Sequence, residues 1–252
     1  PCPSERLTPA SPIAGPAWEL AFMGPHGSEP RSYGKRPGPV QRFAALLITI
    51  ACVLAPFAAT AGAPVKIVAL GDSLTAGLGL PAEATFPARL AQALKAKGYN
   101  VTVANAGASG DTASGGLQRL DWSVPQGTDA VILELGANDM LRGVQPAVTK
   151  AALDAMLGKL AARHIPVLLA GMKASRNMGD DYMRAFDAIY PALASTHRVV
   201  FYPFFLAGVA ADRALNQADG MHPNAAGVDV IVKRMLPSVE KLIARVRKAR
   251  GS

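Results

Sequence analysis

From residue 65 onward the sequence predicts an α/β domain in which a parallel sheet is covered by helices. Three observations point there: short β-branched or aliphatic runs recur, helical patterns separate them, and Ala130 to Leu135 is almost continuously apolar, as suits a strand buried on both faces. Val65 to Leu70 is the first strand. A helix is expected from about Thr85, with Pro87 in its first turn, Leu90 and Leu94 on one face and Gly98 as a stop signal. Asn100 to Ala104 reads as the second strand, Thr112 to Leu120 as a short helix and Ala130 to Leu135 as the third strand. A helix from Pro146 to Arg163 leads to a fourth strand, Pro166 to Ala170, and a single helix from Asp180 to Ser195 leads to a fifth, Val199 to Tyr202. The last helix starts near Asn224, and Leu236, Val239, Leu242, Ile243 and Val246 form its buried stripe.

The chain has 252 residues, enough for one large domain or two small ones at roughly 150 residues per domain. Half of it is hydrophobic and 17% is charged, which excludes a disordered or coiled-coil protein. Cys2 and Cys52 are too few for a disulfide framework, and no Cys/His spacing resembles a zinc site. The net charge of +8 is concentrated late in the chain. From Lys233 on, seven basic residues (Lys233, Arg234, Lys241, Arg245, Arg247, Lys248 and Arg250) face one acid, Glu240. A basic excess confined to one amphipathic segment reads as a solvated helix face, and no nucleic-acid partner is expected.

Residues 1–34 are rich in Pro, Gly and Ser without a sustained period, and are expected to be disordered or an upstream segment. Lys35, Arg36 and Arg42 then precede an uncharged run from Phe43 to Val65 that ends in Ala59-Thr60-Ala61 and Ala61-Gly62-Ala63. A basic stretch, an apolar stretch and small-residue cleavage sites describe a secretory signal peptide over 35–63. The run is also long enough for a retained anchor, but Pro56 and the cleavage-like sites favour removal. Cleavage there would remove both cysteines and release residues 64–252 as a thiol-free periplasmic or secreted domain, touching the membrane only through the leader.

Ligands of open parallel sheets sit outside the carboxyl ends of the strands. Four polar loops qualify: Gly71-Asp72-Ser73-Leu74, Asn105 to Asp111, Gly136-Ala137-Asn138-Asp139, and Asp219 to Pro223. A serine hydroxyl becomes a nucleophile when a base takes its proton and a third group orients that base. Of the histidines beyond residue 64, His164 and His197 fall between a helix and the next strand, at the wrong end of the sheet. Only His222 sits in a candidate loop, with Asp219 three residues before it to accept its ring N–H. Ser73 is the best placed serine, although a turn or N-cap serine is the plainer reading of that position. The string lacks the G-x-S-x-G elbow because Thr75 stands where its second Gly would be, which disfavours an α/β-hydrolase. Donors for a tetrahedral oxyanion could come from the Ser73 N–H, the Gly110 N–H and the Asn138 amide, Asn138 being otherwise a turn-forming residue.

Taken in order, Gly71-Asp72-Ser73-Leu74, Gly110, Gly136-Ala137-Asn138-Asp139 and Asp219-x-x-His222-Pro223 resemble the four blocks of the SGNH (GDSL) hydrolases. Ser109-Gly110-Asp111-Thr112, Glu134 to Asp139, Leu141-Arg142-Gly143 and Ala188-Ile189-Tyr190-Pro191 extend the likeness to the periplasmic multifunctional thioesterase, arylesterase and lysophospholipase branch. The resemblance implies a flavodoxin-like three-layer αβα sandwich with a five-stranded parallel sheet. It implies Ser73 as nucleophile, His222 as base and then acid, Asp219 as its orienting partner, and Ser73, Gly110 and Asn138 as the oxyanion hole. The expected activity is hydrolysis of esters, acyl thioesters or lysophospholipids by a monomer that needs no cofactor or metal. Leu78, Met140, Leu141, Met172, Phe204 and Met221 lie near the four loops and are expected to line an acyl groove. Carbohydrate deacetylation, a metal-dependent phosphoesterase and a non-catalytic acyl or lipid binder are the alternatives.

Overall fold

A computed structural model describes residues 63–251. The stretch 1–34 and, apart from Ala63, the expected leader 35–63 lie outside the described residues. Five strands, β1 (Val65–Gly71), β2 (Val101–Gly107), β3 (Ala130–Glu134), β4 (Val167–Ala170) and β5 (Val200–Tyr202), form one sheet in the order β2-β1-β3-β4-β5. Every neighbouring pair is parallel. In this flavodoxin-like order the chain leaves β1 and β3 in opposite directions, which opens a crevice at their carboxyl ends.

The burial of each strand follows its place in the sheet. β3 and β4 are buried along their whole length and are made almost entirely of aliphatic residues, whereas the edge strand β2 is exposed along much of its course. The helices are α1 (Ser73–Ala76), α2 (Phe86–Ala96), α3 (Ala113–Ser123), α4 (Ala137–Leu141), α5 (Pro146–Ala162), α6 (Asp180–Asp187), α7 (Ile189–His197) and α8 (Ala225–Arg250). α2 packs against α8, while α3 packs against α5 and α5 against α7, so the sheet is sandwiched between two helical layers.

Four elements depart from the sequence expectation. The helix expected over Asp180 to Ser195 is two helices separated at Ala188. Pro191 has no N–H to offer the Asp187 carbonyl, so the first helix stops where that bond would be needed. β2 runs to Gly107 rather than Ala104, because pairing with β1 continues through Gly71↔Gly107 and overrides the weak strand propensity of Asn105-Ala106-Gly107. α1 and α4 are single turns inside the predicted loops, too short for periodicity to reveal.

The basic end of α8 is not simply solvated. Arg250 pairs with Asp129 and donates to the carbonyls of Ala63 (3.1 Å) and Pro64 (3.4 Å). Arg245 donates to the Arg198 carbonyl, and the Arg247 guanidinium lies 5.2 Å from the Tyr99 ring centroid. These three cations brace the helix against its neighbours. Among the described residues no helix is long and apolar enough to cross a membrane.

Leu133, fully buried in β3, and Trp122, 74% exposed on α3, mark the two extremes of this packing. Leu133→Ala is expected to cost about 2–5 kcal/mol and Trp122→Ala no more than about 0.5 kcal/mol, read as shifts in the urea midpoint at constant m-value.

Candidate active site

The turn that carries Ser73 starts where β1 runs out of room. Gly71 lies in register between Gly107 on β2 and Glu134 on β3. A Cβ on Gly71 would come within 2.1 Å of Thr75 Oγ1 and 2.6 Å of Glu134 Oε2, so only glycine lets the chain fold back at once into α1. Asp72 caps that turn, its Oδ1 accepting from the Leu74 N–H at 2.9 Å. Ser73 therefore stands at the carboxyl edge of the sheet, 8% exposed, with its Oγ 2.9 Å from His222 Nε2.

His222 is 149 positions away in sequence and is brought back by a tightly tied loop. Gln217 Nε2 donates to the carbonyls of Leu78 (2.7 Å) and Pro223 (3.0 Å), clamping the loop to the segment that follows α1. The Gln217 N–H donates to the His222 carbonyl at 2.7 Å. Asp219 Oδ1 accepts from the N–H groups of Met221 (2.9 Å) and His222 (3.0 Å), and Oδ2 lies 2.6 Å from His222 Nδ1. The backbone N–H of His222, that of Met221 and then the imidazole hold the Asp219 carboxyl down at about 2. A hydroxyl, an imidazole and an ionised carboxylate thus form one hydrogen-bonded line that can draw a proton off Ser73.

The two other expected donors, Gly110 and Asn138, follow the neighbouring strands β2 and β3. Gly110 follows β2 with φ +86°, and its carbonyl accepts from Arg142 Nη2 at 2.8 Å. Asn138 lies in α4 directly after β3. The turn into α4 needs Gly136, at φ +119°, where a Cβ would fall 2.1 Å from Tyr190 Oη. Tyr190 O–H in turn donates to the Leu135 carbonyl at 2.9 Å and steadies the loop from below. Asn138 Nδ2 donates to Asp72 Oδ2 (3.1 Å) and to the Asp111 carbonyl (3.0 Å). Among the described residues the N–H groups of Ser73 and Gly110 meet no acceptor.

A second set of polar residues, to which the sequence alone assigns no bracing role, ties these pieces together. Arg119, buried on α3, donates to the carbonyls of Gly71 (2.8 Å) and Ala106 (2.8 Å) and pairs with Asp111. It thereby joins the ends of β1 and β2 to the Gly110 loop. Asp139, fully buried, accepts from the Ala113 N–H (2.8 Å) and the Thr149 hydroxyl (3.0 Å), which locks α3 and α5 to the Asn138 turn. Glu134 Oε2 accepts from the Thr75 hydroxyl (2.7 Å) and, at 3.4 Å, from the Asp72 N–H, while Oε1 has no partner among the described residues. Burial, reinforced by the neighbouring Asp72 charge, pushes the Glu134 carboxyl well up. Burial likewise raises Asp72 to about 6, against the opposing pull of the Leu74 N–H and the Asn138 amide. The available signal was a charged residue inside an otherwise apolar run, as with Glu134 at the end of β3.

The expected groove residues divide by burial. Leu78, Leu141 and Met221 are exposed (48%, 57% and 51%), and Met140 and Phe204 are half-buried against the core. Met172 is 3% exposed and belongs to the core itself, so it supports β4 rather than offering a contact surface. His164 is exposed at the end of α5, and His197 bonds Asp154, both away from Ser73. No group of three His, Cys, Asp or Glu side chains among the described residues is placed to hold a metal ion.

Residues 69–230 match the model of the GDSL-like lipase/acylhydrolase family. The chain belongs to that family. Esterase TesA of Pseudomonas aeruginosa is 38% identical over 178 residues, which cover 70% of this chain and 89% of that protein. Thioesterase 1/protease 1/lysophospholipase L1 of Escherichia coli K12 is also 38% identical, over 192 residues, 76% of this chain and 90% of that one. Among solved structures, that of AlinE4, an SGNH-hydrolase family esterase, superposes with a TM-score of 0.61 at 44% identity over 71% of this chain and 97% of its own. The chain is accordingly a GDSL hydrolase, an ester-hydrolysing enzyme of the esterase and thioesterase kind. Its four sequence blocks meet at one crevice of the GDSL fold.

The depressed carboxyl of Asp219 has a consequence for acid stability. A group ionised more readily in the folded state stabilises the fold above its unfolded value near 4, and that contribution is lost as pH falls toward about 2. The melting-temperature advantage of wild type over Asp219→Asn is therefore expected to be constant from pH 7 to 5 and to shrink between about pH 4 and 2. An advantage that grows with acidification would contradict the geometry.

Proposed function

We propose that this GDSL hydrolase is an exported serine esterase that works through an acyl-enzyme on carboxylic esters and acyl thioesters, lysophospholipids included. The observation that carries the reading is the unbroken line from Ser73 Oγ through His222 to Asp219. In this reading Asp219 holds the Nδ1–H of His222, leaving Nε2 to accept the Ser73 proton. Oγ attacks the acyl carbon, and the oxyanion is received by the N–H groups of Ser73 and Gly110 and the amide of Asn138. His222 then returns its proton to the leaving alkoxide or thiolate. A water enters, gives a proton to His222 and attacks the acyl-serine, and the acid is released as Ser73 recovers its hydrogen. Every group in this scheme comes from one chain.

The substrate class is supported by the rim. Leu78, Leu141 and Met221 are exposed apolar residues within five positions of Ser73, Asn138 and His222 respectively, and an acyl chain laid over them would cover apolar surface that is otherwise wet. Methionine suits a site that accepts chains of varied length. Export is supported by the basic residues, apolar run and small-residue sites of segment 35–63.

Turnover of p-nitrophenyl acyl esters from C2 to C16 is expected to be lost by several orders of magnitude in Ser73→Ala and His222→Ala, and to fall about 10²–10³-fold in kcat in Asn138→Ala with the fold intact. Wild-type turnover that survives Ser73→Ala would overturn the assignment, and a folded protein inert at every chain length would favour a deacetylase or a non-catalytic acyl binder.

A further inference from the structure

Resting on the oxyanion hole proposed above, we infer that Asp72 is a positioning residue: its carboxylate, held between the Leu74 N–H and the Asn138 amide, sets the Asn138 donor against the Ser73 turn. The terminal torsion of an asparagine is soft and roughly two-fold, so packing alone does not decide whether its nitrogen or its oxygen is presented. At Asn138 the neighbours decide. Asp72 Oδ2 and the Asp111 carbonyl both accept from Nδ2, and neither an ionised carboxylate nor a carbonyl can donate. A flipped amide would bring its oxygen against a carboxylate in a buried setting and leave two acceptors unpaired.

The second Asp72 oxygen fixes the other end of the link. Oδ1 caps the Leu74 N–H, one residue past Ser73, so a single rigid carboxylate spans the nucleophile turn and the donor that must cooperate with it. Glu134 keeps Asp72 in the accepting form. Two neighbouring carboxyls do not both ionise easily, and Glu134, fully buried with one oxygen unpartnered, is the one that takes the proton. Asp72, with two donors aimed at it, retains the charge at neutral pH. Both hydrogens of Asn138 Nδ2 are engaged in the substrate-free enzyme, so an arriving oxyanion must replace one acceptor. The bond to the neutral Asp111 carbonyl is the weaker, and its exchange leaves the Asp72 contact as the pivot.

The test is a double-mutant cycle on ester turnover with Asp72→Ser, Asn138→Ala and both together. A serine keeps the cap on Leu74 but is too short to reach Asn138, so it removes one arm of the link. Asp72→Ser is expected to lower kcat about tenfold or more with KM changed less than about twofold, and to have no further effect, within about twofold, once Asn138 is alanine. A structural role for Asp72 would instead lower kcat by the same factor in both backgrounds. Such additivity, or an unchanged kcat in Asp72→Ser, overturns the inference. Asp72→Asn, which preserves shape but offers one acceptor for two donors, serves as the second variant if Asp72→Ser does not fold, and the same non-additivity is expected of it. Should Asn138→Ala alone leave kcat intact, the oxyanion hole itself is misassigned and the inference falls with it, whereas survival of turnover in Ser73→Ala would strike the serine esterase reading.

Discussion

β1 lies between β2 and β3 in register, and the crevice inherits its geometry from that fact. Gly71 has Gly107 on one side and Glu134 on the other, so the chain must leave the sheet through a space that admits no side chain. Because the connection out of β3 runs the opposite way, Ser73 and Asn138 end up on the two sides of one opening rather than on successive loops of one edge. The loop after β2 is tied to the Asn138 turn through the Asp111 and Gly110 carbonyls, which accept from Asn138 and Arg142. A one-residue change in the β1/β3 register would move Glu134 away from Gly71 and take with it the acceptor that Thr75 and Asp72 share.

Holding loops of this kind rigid requires polar groups in places where water does not reach, and each is costly unless paired. Arg119 meets that cost with two strand-end carbonyls and the Asp111 carboxylate, and Asp139 with a helix N–H and a threonine hydroxyl. The worth of these residues lies less in net stability than in what their loss would leave behind, since removing one partner strands a buried charge or carbonyl. Glu134 is the exception that resolves differently. With Oε1 unpartnered, desolvation outweighs its two donors and pushes the carboxyl well up.

Much of this was legible from sequence where a period or an order of blocks carried it. The five strands appear within a few residues of their expected places because aliphatic runs and the helical stripes between them obey the packing of a covered parallel sheet. Ser73 and Asn138 stood out as candidates because short polar strings punctuate the ends of those runs, and Asp219 and His222 because theirs is the one candidate loop with a histidine. The remainder depended on partners far apart in the chain. Pro191 breaks a helix only through a carbonyl it fails to serve, and the extension of β2 to Gly107 is dictated by β1 rather than by its own residues. Arg119, Asp139 and Glu134 look like ordinary charges until the fold brings Gly71, Ala113 and Thr75 to them. Met172 shows the converse: proximity in sequence to a functional loop says nothing about which way a side chain faces.

Asp72 and Asp219 are the same side chain set to opposite tasks by surroundings. Asp219 is exposed and accepts two backbone N–H groups and the imidazole, which outweigh its slight desolvation, so it stays ionised far into the acid range. The Asp219 carboxylate favours a hydrogen on Nδ1, and in that neutral tautomer Nε2 is free to accept from the Ser73 hydroxyl across the 2.9 Å contact. Asp72 is fully buried, and its charge survives at neutral pH only through the donors aimed at it and the nearby His222. It cannot sit where Asp219 sits, since its two oxygens are already committed to Leu74 and Asn138. The division follows from geometry: the carboxylate outside the sheet orients the His222 ring, and the one beneath the turn ties the Leu74 N–H to the Asn138 amide.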